Sequence, residues 1–385
     1  TLVINMGPQH PSCHGVLRLL LELDGETVVK CTPDIGFLHT GMEKTMENLN
    51  YQQAVTVTDR MDYMAPLSNN LGYCLAVEKL LGIEAPPRAT VARVMLVELQ
   101  RIASHLLWVG SHAFDLGATT PFLYGLRDRE LCLDVFEECS GQRMMTSYIR
   151  VGGLSYDLPE GIEEKVGKAV TTIRTRLSDL EDILTANPIW IQRTQGVGVL
   201  SAEDAVDLGV TGPMLRASGV AWDLRKTEPY CGYEDYDFEI ALGRNGDTYD
   251  RYLVRMEEIR QSLRIVEQAL NRLPAGDYRA EDRKVSPPPK PEIDESMEAL
   301  IHHFKLVTEG FRPPAGEVYQ AIESPRGEIG FYVASDGSGK PYRVRVRAPS
   351  FVNLQALPKL AEGRLIADVV ALIATIDPIM GEVDR

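Results

Sequence analysis

Gly7-Pro8-Gln9-His10-Pro11-Ser12-Cys13-His14-Gly15 places two imidazoles four positions apart in a segment whose prolines and glycines exclude a regular helix. An imidazole exchanges a proton near neutral pH, so such a pair on stiffened backbone suits proton transfer to a ligand; the competing reading is two histidines that satisfy a turn. The six cysteines, at 13, 31, 74, 132, 139 and 231, include no Cys-x-x-Cys pair and no zinc-like spacing with histidine. Buried thiols in a reducing compartment are expected, with no metal and no iron–sulfur ligand set on this chain.

The elements that must hold the loop are mixed. Residues 16–23 and 26–31 flank Asp24-Gly25, a tight-turn pair between two β-prone runs, which predicts a hairpin. From about 66 to 148 the pattern becomes helical, with Val91, Val94, Met95, Ile102, Leu106 and Leu107 near one face after the break at Pro86-Pro87. Further helices are predicted over 160–186, 247–273 and 296–309. Residues 274–292 read as a surface linker, too polar and proline-rich to pack. A second hairpin is predicted from 329–334 and 342–346 around Asp336-Gly337-Ser338-Gly339. Arg343, Arg345 and Arg347 alternate there, so they share one face, solvated or functional. The predicted class is α+β, mainly α: a helical-bundle core with β elements near both chain ends. Its expected divisions are an N-terminal β region over 1–65, a helical core over 66–273, the linker, and a C-terminal part over 293–385.

At 385 residues and 44% hydrophobic content, the chain can bury a sizeable core. Its longest apolar runs fall well short of the roughly 20 residues of a membrane span. A formal charge of -15 argues against nucleic acid or anionic lipid as the main partner. No Gly-x-Gly-x-x-Gly element stands between strand and helix, so dinucleotide binding is not supported.

GPQHPS-x-HGV near the start is followed by LHTGMEK at 38–44, RMDY at 60–63, GQR and YIRVGG within 141–153, ESPRGE at 323–328, RAPSF-x-N at 347–353 and DPIMGEVDR at 377–385. In this order the chain resembles the large quinone-site subunit of respiratory complex I, the 49 kDa or D subunit family of NADH-quinone oxidoreductase, over essentially its whole length. The resemblance implies a nickel–iron hydrogenase large-subunit-like fold without the hydrogenase metal. The two hydrogenase cysteine pairs would fall on Arg60–Ala65 and on 377–385, and no thiolate stands in either segment.

What the resemblance implies for function is specific. Tyr63 and His14 would each face one carbonyl oxygen of a quinone, with Asp115 as the carboxylate partner that holds His14 ready as a donor. His10, His39, Gly41 and Met64 would line the quinone cavity. Read alone, Tyr63 is equally an interfacial aromatic hydrogen-bonded to backbone, and Asp115 a helix-end or turn carboxylate. Arg60, Arg143 and Arg150 would tune the potential of an iron–sulfur cluster carried by a partner. Met145 stands where many relatives have a titrating histidine, and Thr40 where many have arginine. The implied partners are the iron–sulfur B subunit, the C subunit, other peripheral-arm iron–sulfur subunits and the membrane-arm H subunit. No cofactor would be bound by this chain, quinone being the substrate. The implied place is the peripheral arm, on the cytoplasmic face of the bacterial inner membrane or the matrix side of the mitochondrial one, with electrons from NADH and coupling to proton translocation supplied by the whole complex and no turnover by the chain alone. Two alternatives stay open: the same subunit in a ferredoxin-fed relative, and a non-catalytic, hydrogenase-derived scaffold.

Overall fold

A computed structural model describes residues 2–385. The chain opens on a three-stranded antiparallel sheet, β1 (Leu2–Met6), β2 (Arg18–Asp24) and β3 (Thr27–Asp34), in sequence order. Asp24 pairs with Thr27 across the predicted turn, where Gly25 takes the left-handed φ of 60°. Along β2, Leu19, Leu21 and Leu23 point inward, the alternation of a sheet with one buried face.

Helices α1 (Met42–Asn48) and α2 (Tyr51–Thr58) lead into three long ones, α3 (Pro66–Leu81), α4 (Pro87–Asp115) and α5 (Thr119–Ser140). Proline opens both α3 and α4 at a position where its missing N–H costs nothing. Between α4 and α5 the backbones nearly touch: a Cβ on Gly125 would lie 2.5 Å from the Leu106 carbonyl oxygen, so only glycine permits this crossing. The short pair β4 (Ile149–Arg150) and β5 (Gly153–Leu154) precedes α6 (Ile162–Leu184), α7 (Pro188–Thr194), α8 (Ala202–Asp207), α9 (Pro213–Ala217), α10 (Leu224–Thr227) and α11 (Thr248–Arg272). With α4 and α5, the α6 and α11 helices enclose the main hydrophobic core.

After α12 (Lys290–Glu295) and α13 (Met297–Thr308) comes a second antiparallel sheet, β6 (Gly316–Ser324), β7 (Gly327–Ser335) and β8 (Arg343–Arg347). It packs on α3, where Phe331 and Ile322 crowd Gly72. The chain closes with α14 (Pro349–Leu354), α15 (Leu357–Ala361), α16 (Ile366–Ile376) and α17 (Met380–Asp384). These last helices share a second core with the N-terminal sheet, Leu19 and Leu21 meeting Leu357, Leu372 and Ile376. Both ends of the chain therefore build one body against the central helices, and Trp108 of α4 ties the two by donating from Nε1 to the Ala374 carbonyl at 2.6 Å.

The mixed α+β class is as expected, but two details differ. The strand β6 lies outside the expected elements; it pairs with β7 from Gly316↔Ser335 to Ser324↔Gly327, so ESPRGE is the turn of a hairpin and not only a motif. The 274–292 stretch does pack in part, since Val285 and Ser286 are buried, Leu154 donates its amide to the Tyr278 carbonyl at 3.0 Å and Ala280 donates to Gly152 at 2.7 Å. On β8 the three arginines do share a face, and they meet Glu47, Glu43 and Glu328 at the surface, as a solvated strand would. Among the described residues no helix is long and apolar enough to cross a membrane.

Candidate active site

On α4, Ser104, Leu107, Trp108, Ser111, Phe114 and Asp115 recur at intervals of three and four, one stripe of a helix. That stripe forms one wall of a cavity of about 290 Å³. The facing wall is Pro11 and His14 from the N-terminal loop and Tyr63 and Met64 from the turn after α2; Arg326, Asp377 and Ile379 complete the lining. The site thus lies between the central helices and the body made by the two chain ends.

Each functional side chain is placed by identifiable local structure. Pro11–Cys13 is a single 3-10 turn, capped when His10 Nδ1 accepts from the Ser12 amide at 3.2 Å, and His14 follows in the left-handed region at φ 47°. Asp62 accepts from the Met64 and Ala65 amides at 3.0 and 3.1 Å, a turn that sets Tyr63 between them. The β6–β7 turn delivers Arg326. Its guanidinium pairs with Asp62 at 2.8 Å and Asp377 at 3.2 Å, and donates to Ser104 Oγ at 3.1 Å, joining three distant segments. Helix α17 then closes on the tyrosine turn: a Cβ on Gly381 would stand 2.5 Å from the Met61 carbonyl oxygen and 3.3 Å from the Tyr63 ring, so this approach also requires glycine.

Electrostatically the cavity is poised for neutral donors. Burial raises the Tyr63 phenol above its ordinary value, with the Asp62 carboxylate adding to the effect, and no hydrogen bond contributes to that shift. Burial, with the Arg326 guanidinium, lowers His14 to about 4. Its Nε2 is buried without a partner. Asp115 is pushed up to about 6 by burial, partly offset by a hydrogen bond from the Ser12 hydroxyl.

The structure brings His14, Tyr63, Met64 and Asp115 into one cavity, but the expected Asp115–His14 pair is not formed: Asp115 faces Ser12, and His14 is held neutral instead of protonated. His10 caps its own turn at the surface. His39 and Gly41 line a different cleft, with Glu43, Arg385 and Asp384, where His39 Nδ1 lies 2.6 Å from the Asp384 carbonyl oxygen. These three therefore do not line the cavity that holds Tyr63. Arg143 lies at the surface, bound by Glu130, Asp134 and Glu137, so its charge is cancelled locally. Arg60 and Arg150 instead flank the buried Asp59, whose carboxyl burial raises while hydrogen bonds from Ser147 and Asn70 and the two arginine charges pull it back. Ser104, Trp108, Ser111 and Arg326 are site residues that the sequence reading leaves out. The spacing along α4 carries the signal for the first three, since Ser104, Trp108 and Ser111 recur at helical intervals with Leu107, Phe114 and Asp115 on one stripe.

A larger cleft of about 540 Å³ lies between α2, β5 and α13, lined by Asn50, Arg150, Arg279 and His303 among others. The smaller cavity is the stronger active-site candidate because phenol, imidazole and carboxyl converge there. Among the described residues no group of three or more His, Cys, Asp or Glu is arranged to hold a metal ion.

The two chain ends thus converge with the central helices on one cavity that gathers a phenol, an imidazole and a carboxyl. Residues 115–385 match the family model described as respiratory-chain NADH dehydrogenase, 49 Kd subunit, and the chain belongs to that family. It is 65% identical to the D 2 subunit of NADH-quinone oxidoreductase from Roseiflexus sp. (strain RS-1), with 100% of this chain and 93% of the relative covered. It is 62% identical to the D 2 subunit from Chloroflexus aurantiacus, covering 94% of that protein, and 54% identical to the D subunit from Geobacter sulfurreducens, covering 98%.

Proposed function

We propose that this chain supplies most of the chamber in which an NADH-quinone oxidoreductase reduces quinone. The observation that carries this reading is the shared cavity of Tyr63, His14 and Asp115, walled by Trp108 and Phe114. Turning a quinone into a quinol consumes two electrons and two protons, so a site needs donors near both carbonyl oxygens and an outside electron source. Tyr63 would give its proton to one oxygen and the neutral His14 N–H would hydrogen-bond the other, whose proton comes from water, while the aromatic wall accepts the apolar ring. Electrons would come from NADH through flavin and iron–sulfur clusters on partner chains, the last cluster on the adjacent B subunit. The C subunit, other iron–sulfur subunits and the membrane-arm H subunit complete the proposed assembly, in the peripheral arm and coupled to proton translocation by the whole complex. The chain alone would not turn over.

The meeting of RMDY with DPIMGEVDR beneath the cavity, with Arg326 between them, supports descent from a hydrogenase-like fold whose metal pocket has been refilled by an ion-paired cluster. Docking onto other subunits fits α13, which buries Ala299 but leaves Met297, Leu300, Ile301, Phe304 and Val307 exposed, Phe304 by 65%. A photoreactive quinone analogue, applied to the assembled complex, should label peptides spanning 62–64 or 104–115 and be competed by native quinone. Competed labelling confined to other chains would refute the chamber reading.

Arg60 and Arg150 are the two remaining candidates for tuning the neighbouring cluster, and Met145 bears on the same point. A group whose pKa follows cluster charge makes the midpoint potential fall with pH, by up to about 59 mV per unit for one electron and one proton. Methionine cannot titrate. The slope across about pH 6 to 8 should therefore be flat in redox titrations of the terminal cluster followed by electron paramagnetic resonance, and Met145→His should steepen it. A full slope in the native complex would place the proton on another group.

A further inference from the structure

Beneath the cavity lies a cluster whose charges do not balance. Asp62, Asp377 and Glu382 are buried together, and one guanidinium, Arg326, pairs directly with the first two. Glu382 has no cation of its own. Its Oε1 accepts the Ser350 amide at 2.9 Å, and its Oε2 is buried without any partner. The groups that face it are Asp62 and Tyr63 from the turn after α2, Arg326 from the β6–β7 turn and Ser350 from α14. Asp377, the C-cap of α16, lies beyond Arg326, and Arg255 of α11 faces Asp377.

Three buried carboxylates around one directly paired guanidinium cannot all stay ionised without a large desolvation cost, so a proton belongs on the carboxyl that lacks a cation. That carboxyl is Glu382. Burial and the Asp62 charge push it up to about 8, opposed by Arg326, which agrees with the geometric argument. The tyrosine is next to it: the Tyr63 ring packs on Gly381, the residue before Glu382.

We propose that Glu382 holds the proton that restores the Tyr63 phenol after each quinone reduction, with Asp62, Arg326 and Asp377 fixing that proton beneath the cavity. This rests on the quinone-chamber reading. Per turnover, quinone takes two electrons from the partner's iron–sulfur chain and two protons, one from Tyr63 and one from water at the oxygen that the neutral His14 N–H faces. The O–H bond of Tyr63 breaks as the quinol O–H forms; the resulting tyrosinate takes the proton of the Glu382 carboxyl by way of water, since no side chain of the cluster hydrogen-bonds the two groups together. The Glu382 carboxylate then regains a proton from water. Glu382 does not line the cavity and acts through Tyr63.

The test uses the assembled complex with Glu382→Gln, which keeps an acceptor for the Ser350 amide but carries no exchangeable acid proton. Infrared difference spectra between about pH 6 and 10 should show a neutral-carboxyl C=O band that disappears near pH 8 in the native complex and is missing in the variant. Quinone-reductase rates, normalised to complex content by NADH oxidation with an artificial acceptor, should fall by about tenfold, less than expected for a direct donor. The alkaline limb near pH 8 should vanish in the variant, and Glu382→Asp should restore it. A native rate and unchanged alkaline limb in Glu382→Gln would overturn the relay, as would absence of the carboxyl band. Either outcome leaves the chamber reading intact, because that reading stands or falls on quinone labelling.

Discussion

Replacing Tyr63 with Phe should lower quinone reduction by about 100-fold or more, the scale of a lost general acid, while NADH oxidation by an artificial acceptor in the same preparation stays at the native rate. No hydrogen bond holds the phenol in its raised state, so the substitution strands no buried partner and should be nearly neutral for folding. Phenylalanine also preserves the ring that packs on Gly381. A 100-fold loss corresponds to about 2.7 kcal/mol of transition-state stabilisation. Because burial and Asp62 hold the phenol proton tightly, Tyr63 donates only when negative charge develops on the bound quinone, which is when an acid raises the rate. His14→Ala should cost less. His14 is neutral and offers one N–H, a role that a water molecule in the enlarged cavity can take over. Equal loss of both activities in Tyr63→Phe would mean that the residue matters for assembly instead.

Much of this site is legible from the sequence, and the residues show why. Two imidazoles in a loop rich in proline and glycine mark the segment that carries His14, because turn chemistry is local, whereas Tyr63 is pointed to by the family motif RMDY and read alone is equally an interfacial aromatic. The hairpin at Asp24-Gly25 and the helix opening at Pro87 follow from the same local rules. What fails depends on contacts distant in sequence. Asp115 and His14 are expected to pair, yet 101 positions separate them, and Ser12 stands closer to the carboxyl. The resemblance places His39 and Gly41 at the cavity, but Asp384 accepts the amides of Gly36 and Leu38 and ties that loop to α17. Strand β6 escapes the sequence reading because Val318, Ala321 and Ile322 alternate poorly with polar residues, and its identity comes from nine paired positions on β7. Arg326 cannot be read as the centre of the cluster, since nothing in ESPRGE states that Asp62 and Asp377 will meet there.

The second large effect should come from that arginine. Arg326→Met removes the one cation paired with Asp62 and Asp377, and deleting one partner of a buried ion pair typically costs about 3–5 kcal/mol because the other charge stays buried. The complex should melt at lower temperature and accumulate to lower levels, with thermal unfolding of purified complex as the measurement. The pH dependence has a definite sign. Asp62 is already raised by burial against the opposing Arg326 charge, and without that charge it rises further above its unfolded value. The folded variant then binds more protons than the unfolded chain, so the deficit should be smallest in acid and deepen as pH climbs through the raised folded-state value. Adding Asp62→Asn to Arg326→Met should recover part of the loss, because the stranded carboxylate goes with it. A single variant as stable as the native protein at neutral pH would show that Asp62 is protonated already. The charge count that places the spare proton on Glu382 would then have to be redrawn around Asp62.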